Sequence, residues 1–242
     1  EKLRGIDLVV NAAGIFHERR QGDFSRVHFE GPLHLFQASR VAGVRRIVQI
    51  SALGATSDAT APFLRSKALA DDALAQFDIE WVVLRPSLVM GAGGASWRFF
   101  RALSLLPFEP AEAGELVVQP IAIDDVCRAV AEAATRDEAD GRVIDLVSSE
   151  PLSLRTYLDD LSQAMSGRPR RRLALPWALL DILGRFAWLK PGAPVSRDAL
   201  RMLRSARQPY DSKVCQLHLG LQPRSVSEYL AANPADRGDR LD

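Results

Sequence analysis

Two kinds of hydrophobic pattern alternate along the chain. Ile6 to Asn11, Arg46 to Ile50, Glu80 to Leu84 and Arg142 to Val147 are short, nearly continuous apolar runs. Their length and their Gly, Pro or polar flanks predict strands buried on both faces. Between them, apolar residues recur at helical spacing over 28–41 and 65–76, in a segment opened by Asp124 and Asp125, and from Ser153 to Ser166. Gly43 is a helix stop, Ser153 a candidate N-cap, and the two carboxylates suit the positive end of a helix. Strands alternating with helices predict right-handed crossovers and a parallel sheet. Residues 87–120 are less regular, with Gly91 to Gly94 and several prolines, and the tail from Asn233 is polar. There is no internal repeat.

Composition adds little to this picture, but charge distribution adds something. The chain has 242 residues, 47% hydrophobic and 25% charged, which are the proportions of an ordinary globular protein. Its net charge of +1 conceals a segment, 168–208, with ten Lys/Arg and two Asp/Glu. Arg168, Arg170, Arg171 and Arg172 precede an apolar stretch from Leu173 to Leu189, so a basic C-terminal lobe could meet an acidic protein or an anionic membrane surface. The acidic and basic residues inside that stretch, Asp181 and Arg185, favour a core-packing helix over a lipid-facing one. No nucleic-acid partner is expected. Two cysteines, Cys127 and Cys215, form neither a metal spacing nor a disulfide framework, and Cys127 is expected in the core of its helix. There is no signal peptide and no apolar run of membrane-spanning length, so the expected location is cytoplasmic or peripheral to a membrane.

The candidate chemistry sits where strands end. Phe63 and Lys67 are four residues apart and share a helix face. A Tyr at position 63 would form a proton-transfer pair with Lys67, since the ammonium lowers the phenol pKa. The phenyl ring has no proton to give. Ser51 follows the second strand and could hydrogen-bond a substrate oxygen, or it could cap loop backbone. Asn11, Ala12, Ala13 and Gly14 leave the first strand, where small residues allow close approach of a ligand to the backbone. Arg85 and Pro86 end the third strand, and Arg85 is either a cleft residue or a structural ion-pair partner.

These motifs occur in a telling order. Asn11-Ala12-Ala13-Gly14, Ile50-Ser51-Ala52, Phe63 with Lys67, Arg85 to Gly91, and Gln119-Pro120-Ile121 with Asp124-Asp125 resemble the extended or atypical short-chain dehydrogenase/reductases. The likeness is to the branch similar to the nucleotide-binding accessory subunit of respiratory complex I. It covers residues 5 to about 150 well, and the remainder loosely.

The resemblance implies a Rossmann-like, doubly wound domain over 1–150 that binds NAD or NADP. A small, mainly helical lobe over 151–242 would meet a small-molecule substrate or a partner. It also implies roles: Ser51 polarises the substrate, Lys67 binds the ribose, and Phe63 occupies the place of the catalytic Tyr. Asn11, Ala12, Gly14, Arg85 and Pro86 would line the cofactor. No metal is implied.

The sequence departs from this family in two ways. Phe63 lacks the phenol, and the G-x-x-G-x-x-G turn that holds a pyrophosphate is absent. The expectation is a chain that is N-terminally truncated by roughly two strand-helix units, on the order of 60 residues. Weak or absent redox turnover is expected of such a protein. The alternatives are an active oxidoreductase or epimerase, and a structural or membrane-surface protein.

Overall fold

The computed structural model describes residues 2–168, 171–180, 182 and 209–234. The chain forms two compact units, each assembled from separate segments. The first comprises Glu1–Ser87, Asp124–Val147 and Asp211–Pro223; the second comprises Leu88–Ile123, Ser148–Tyr210 and Arg224–Asp242.

The first unit is a parallel α/β sheet with helices. Its strands are β1 (Leu8–Asn11), β2 (Arg46–Ile50), β3 (Glu80–Pro86) and β8 (Arg142–Leu146), in the order β1-β2-β3-β8. Every neighbouring pair is parallel, with Val9 opposite Ile47, Val48 opposite Val82, and Leu84 opposite Ile144. Crossovers carry α1 (Gly31–Ala42), α2 (Pro62–Leu74) and most of α4 (Ile123–Thr135). The Rossmann-like architecture expected from the sequence is therefore present. The middles of the central strands, Ile47 and Val48 on β2 and Val82, Val83 and Leu84 on β3, are fully buried, which is why these strands read as apolar runs. Edge strand β1 is different: Val10 is 43% exposed. Val9, Ile47, Val83, Phe36 and Leu74 pack together between sheet and helices.

Helix ends follow the chemistry read from the sequence, with local surprises. Gly43 ends α1 at φ 77°, a left-handed position that suits Gly. The first helical stretch starts earlier than the expected residue 28 and opens with a π-helical turn, Ser25–Glu30, before α1. Cys127 corrects an expectation. It is exposed, because the buried stripe of α4 runs through Asp125, Val126, Ala129 and Ala133 and leaves position 127 off that face. Cys215 is buried, on α6 (Lys213–Leu219). Arg46 is a buried structural residue: it donates to Ala133 O and Arg136 O, satisfying carbonyls at the end of α4, and pairs with Glu80 and Asp137.

The second unit has its own core. The stretch that read as irregular contains β4 (Val89–Met90), α3 (Ala95–Leu105), β5 (Phe108–Pro110), β6 (Val117–Val118) and β7 (Ile121–Ala122). Gly91 lets β4 pass close to Ile123, where an added Cβ would meet Cγ2 at 2.5 Å. Then follow β9 (Leu152–Ser153), α5 (Leu154–Ser166), β10 (Leu173–Leu175) and α7 (Val226–Ala232). Ser153 caps α5 as expected, accepting from Thr156 N at 3.0 Å. Phe100, Leu103, Leu116, Tyr157, Leu161 and Tyr229 lie at the centre of this core. Most of the basic segment 168–208, and the part of the stretch Leu173–Leu189 from 183 on, lie outside the described residues.

Candidate functional site at the carboxyl ends of β1, β2 and β3

Parallel strands bring their carboxyl ends to one edge of the sheet, and side chains from α2 reach that edge. Pro62 starts α2 at a position where a missing N–H costs nothing. The helix then presents Phe63, Lys67 and Asp71 on one face, and all three are buried.

Lys67 is the centre of the site. It is 4% exposed, and its Nζ donates to Ala13 O at 2.9 Å and to Ile50 O at 3.0 Å. These carbonyls lie just beyond β1 and at the end of β2. An ammonium has three protons, so one remains for a ligand. Burial pulls the Lys67 pKa down to about 8, against the opposing pull of Asp71. Gly14 passes directly over this group: a Cβ there would stand 3.2 Å from Lys67 Nζ. Asn11 shapes the approach, with its Oδ1 accepting from Ala13 N at 3.2 Å and its Nδ2 donating to Gln49 at 2.7 Å. Ala12, Ala13 and Gly14 are exposed.

Phe63 occupies an aromatic cluster. It stacks on Phe16 with centroids 5.4 Å apart and planes at 15°, and meets Phe24 and His28 edge-on. His28 is fully buried and its tautomer is set by its partners. Nε2 accepts from Ile15 N at 3.0 Å, and Nδ1 donates to Ser66 Oγ at 2.8 Å, which in turn donates to Phe63 O. Burial, reinforced by the Lys67 charge, pushes His28 down to about 4, so it is neutral at pH 7. It therefore anchors the loop after β1 onto α2.

Ser51 and Arg85 converge on a residue that the sequence reading missed. Ser51 Oγ donates to Asp71 Oδ2 at 2.6 Å, and Arg85 Nε and Nη2 approach the same oxygen at 3.2 and 3.1 Å. Burial raises the Asp71 pKa to about 6, although Ser51, Arg85 and Lys67 all oppose it. Asp71 Oδ1 is buried with no hydrogen-bond partner among the described residues. Pro86 closes β3, and its carbonyl accepts from Leu53 N at 3.0 Å. Thus Ser51, Lys67, Asn11, Gly14 and Phe63 gather at one edge, while Arg85 acts there through an ion pair. The missed residues are Asp71 and His28. Asp71 carried a usable signal, standing four residues beyond Lys67 on the same face. His28 carried none, since its hydrogen bonds are made by Ile15 after β1 and by Ser66 on α2, which only the fold brings to it.

The arrangement can hold a ligand hydroxyl at Lys67 and a flat, apolar group near Phe16 and Phe63. It offers no phenolic acid. Among the described residues no group of His, Cys, Asp or Glu is arranged to hold a metal ion, and no helix is long and apolar enough to cross a membrane.

Comparison with known proteins locates this geometry. Residues 1–102 match the sequence family described as NAD(P)H-binding. Two mammalian proteins named NADH dehydrogenase [ubiquinone] 1 alpha subcomplex subunit 9, mitochondrial, are similar. The Rattus norvegicus protein is 28% identical over 78% of this chain and 50% of its own length, and the Mus musculus protein 27% over 90% and 58%. The chain thus spans little more than half the length of these relatives. A nucleoside-diphosphate-sugar epimerase from Staphylococcus aureus has the same fold, with TM-score 0.72 and 15% identity over 95% of this chain and 77% of that one. So does an NADPH-dependent quinone oxidoreductase of Escherichia coli, solved with NADPH, at TM-score 0.71 and 18% identity over 95% and 77%.

Proposed function

From a chain whose first 102 residues match an NAD(P)H-binding family, we propose a nicotinamide-dinucleotide-binding protein with weak or no redox turnover. The observation that carries this reading is Lys67. Its ammonium is buried, two of its protons are fixed on strand-end carbonyls, and the third is left for a ribose hydroxyl. Gly14 is the second support: a Cβ there would stand 3.2 Å from that ammonium and press it aside by a few tenths of an ångström. When bound, the nucleotide would supply or accept hydride. The residues of this chain would orient it, with Lys67 on the ribose, Asn11 holding the turn from Ala12 to Gly14, and the Phe63 ring excluding water.

Loss of the phenol at position 63 should cost about 10²–10⁴-fold in rate. The experiment is titration of the full chain with NADH and NADPH, followed by nucleotide fluorescence, in parallel with Lys67→Met. Saturable binding lost in the variant supports the reading. Binding unaffected by the substitution overturns it.

A second reading is an active oxidoreductase or epimerase, favoured by the depressed Lys67 pKa, which makes the ammonium a competent proton donor near neutral pH. It requires turnover that disappears in both Ser51→Ala and Lys67→Ala.

A further inference from the structure

The hydroxyl of Ser51 has one proton, and its direction decides what the site can recognise. That proton lies on Asp71 Oδ2 at 2.6 Å. Asp71 is 3% exposed, so the bond is made out of water, and a hydrogen bond to a buried carboxylate is among the strong ones. Arg85 fixes the same carboxylate oxygen from β3 with two N–H groups. Ser51 is therefore held from the α2 side, and what it presents elsewhere is lone pairs.

We propose that Asp71 is a positioning residue that makes Ser51 a hydrogen-bond acceptor, so that the ligand group meeting Ser51 is a hydroxyl rather than a carbonyl. The inference rests on the reading that ligands bind at this edge of the sheet, and it deepens that reading by naming the ligand's chemical class. A carbonyl needs a donor, and Ser51 could provide one only by leaving a buried carboxylate with one bond fewer. Asp71 Oδ1 has no hydrogen-bond partner among the described residues, so that loss would take from the buried carboxylate its shortest bond and leave it the Arg85 contacts on Oδ2 alone. A hydroxyl ligand asks for nothing that Ser51 has already given. Lys67, one turn away on α2, favours the same outcome by keeping Asp71 charged. The groups that face Asp71 are Lys67 on α2, Ser51 after β2 and Arg85 on β3, with Asp145 of β8 acting on Arg85 from beyond.

The test does not need turnover. The full chain labelled with carbon-13 at aspartate carboxyls is titrated by NMR from pH 4 to 9. The Asp71 resonance is assigned by its loss in Asp71→Asn or, if that variant does not fold, by its displacement in Arg85→Lys. Ser51→Ala should raise the Asp71 midpoint by about one pH unit or more, and Ser51→Thr, which keeps the hydroxyl, should restore it. An Asp71 midpoint unmoved in Ser51→Ala overturns the proposal. The ligand class is read by saturation-transfer NMR with cyclohexanol and cyclohexanone as probes at pH 8. Cyclohexanol should bind in preference, and lose that preference in Ser51→Ala. Equal or better binding of cyclohexanone, or no binding of either, overturns the assignment to hydroxyl ligands. NADH titration on the same samples reports nucleotide binding separately, so its failure would strike the nucleotide reading while the Ser51-dependent shift of the Asp71 midpoint still stood.

Discussion

Gly14 and Lys67 are in contact across 53 positions of sequence: a Cβ added to Gly14 would stand 3.2 Å from the lysine Nζ and 3.6 Å from Cε. The loop after β1 thus passes close to the ammonium, and a side chain at position 14 would make Lys67 give by a few tenths of an ångström.

Gly14→Ala should displace the Lys67 ammonium without unfolding the unit, because Gly14 is exposed and its backbone lies outside the left-handed region. We expect nucleotide affinity to fall by about tenfold, about 1.4 kcal/mol. The thermal midpoint should stay close to that of the unmodified chain. NADH titration and a melting curve on the same sample check both.

Binding should depend on pH through Lys67. Its folded-state pKa is lowered from 10.5 to about 8 by burial, so the ammonium is present at pH 7 and lost as pH rises through 8. Only the protonated form carries the charge and the third donor. NADH affinity should fall above pH 8 with a midpoint near that value. In Lys67→Met, affinity should be about ten- to hundredfold weaker at pH 7 and flat with pH.

Phe63→Tyr should restore the proton-transfer pair with Lys67. We expect turnover to rise by about 10²–10⁴-fold over any basal rate, with NADH affinity unchanged. Stopped-flow oxidation of NADH with a carbonyl substrate panel is the measurement. Equal activity of the two forms would refute the idea that the missing phenol limits this chain.

Stability should fall on mild acidification because of His28. Its pKa is 6.5 unfolded and about 4 in the fold, where burial and the Lys67 charge disfavour the cation. Below pH 6.5 the unfolded chain takes up a proton that the folded chain refuses until about pH 4. The folded state therefore loses stability across that window, by about 3 kcal/mol from this group. Urea melts at pH 7 and 4.5 should differ less in His28→Gln than in the unmodified chain.

The sequence by itself determined the four strands of the parallel sheet, the helices α1, α2, α4 and α5 and the parallel topology they require, because these depend on periodicity and on local turn chemistry; α3 and the short strands within 87–120 were not legible in it. β2, β3 and β8 announced themselves as apolar runs; Gly43 and Ser153 marked their helix ends. The face shared by Phe63 and Lys67 follows from a four-residue spacing and needs no tertiary information. What only the tertiary structure decided is which of those groups meet. Ser51 gives its proton to Asp71 from 20 positions away, Arg85 joins them from 14, and His28 binds Ile15 from 13 positions away and Ser66 from 38. Arg85 could have been a cleft residue or an ion-pair partner on sequence grounds; its position on β3 opposite α2 made the ion pair. Cys127 read as core, and the rotation of α4 exposed it. Local propensity fixes the direction of a side chain around its own helix or strand. The partner it finds is set by the crossover that brings another strand end alongside, and that is a property of the folded sheet.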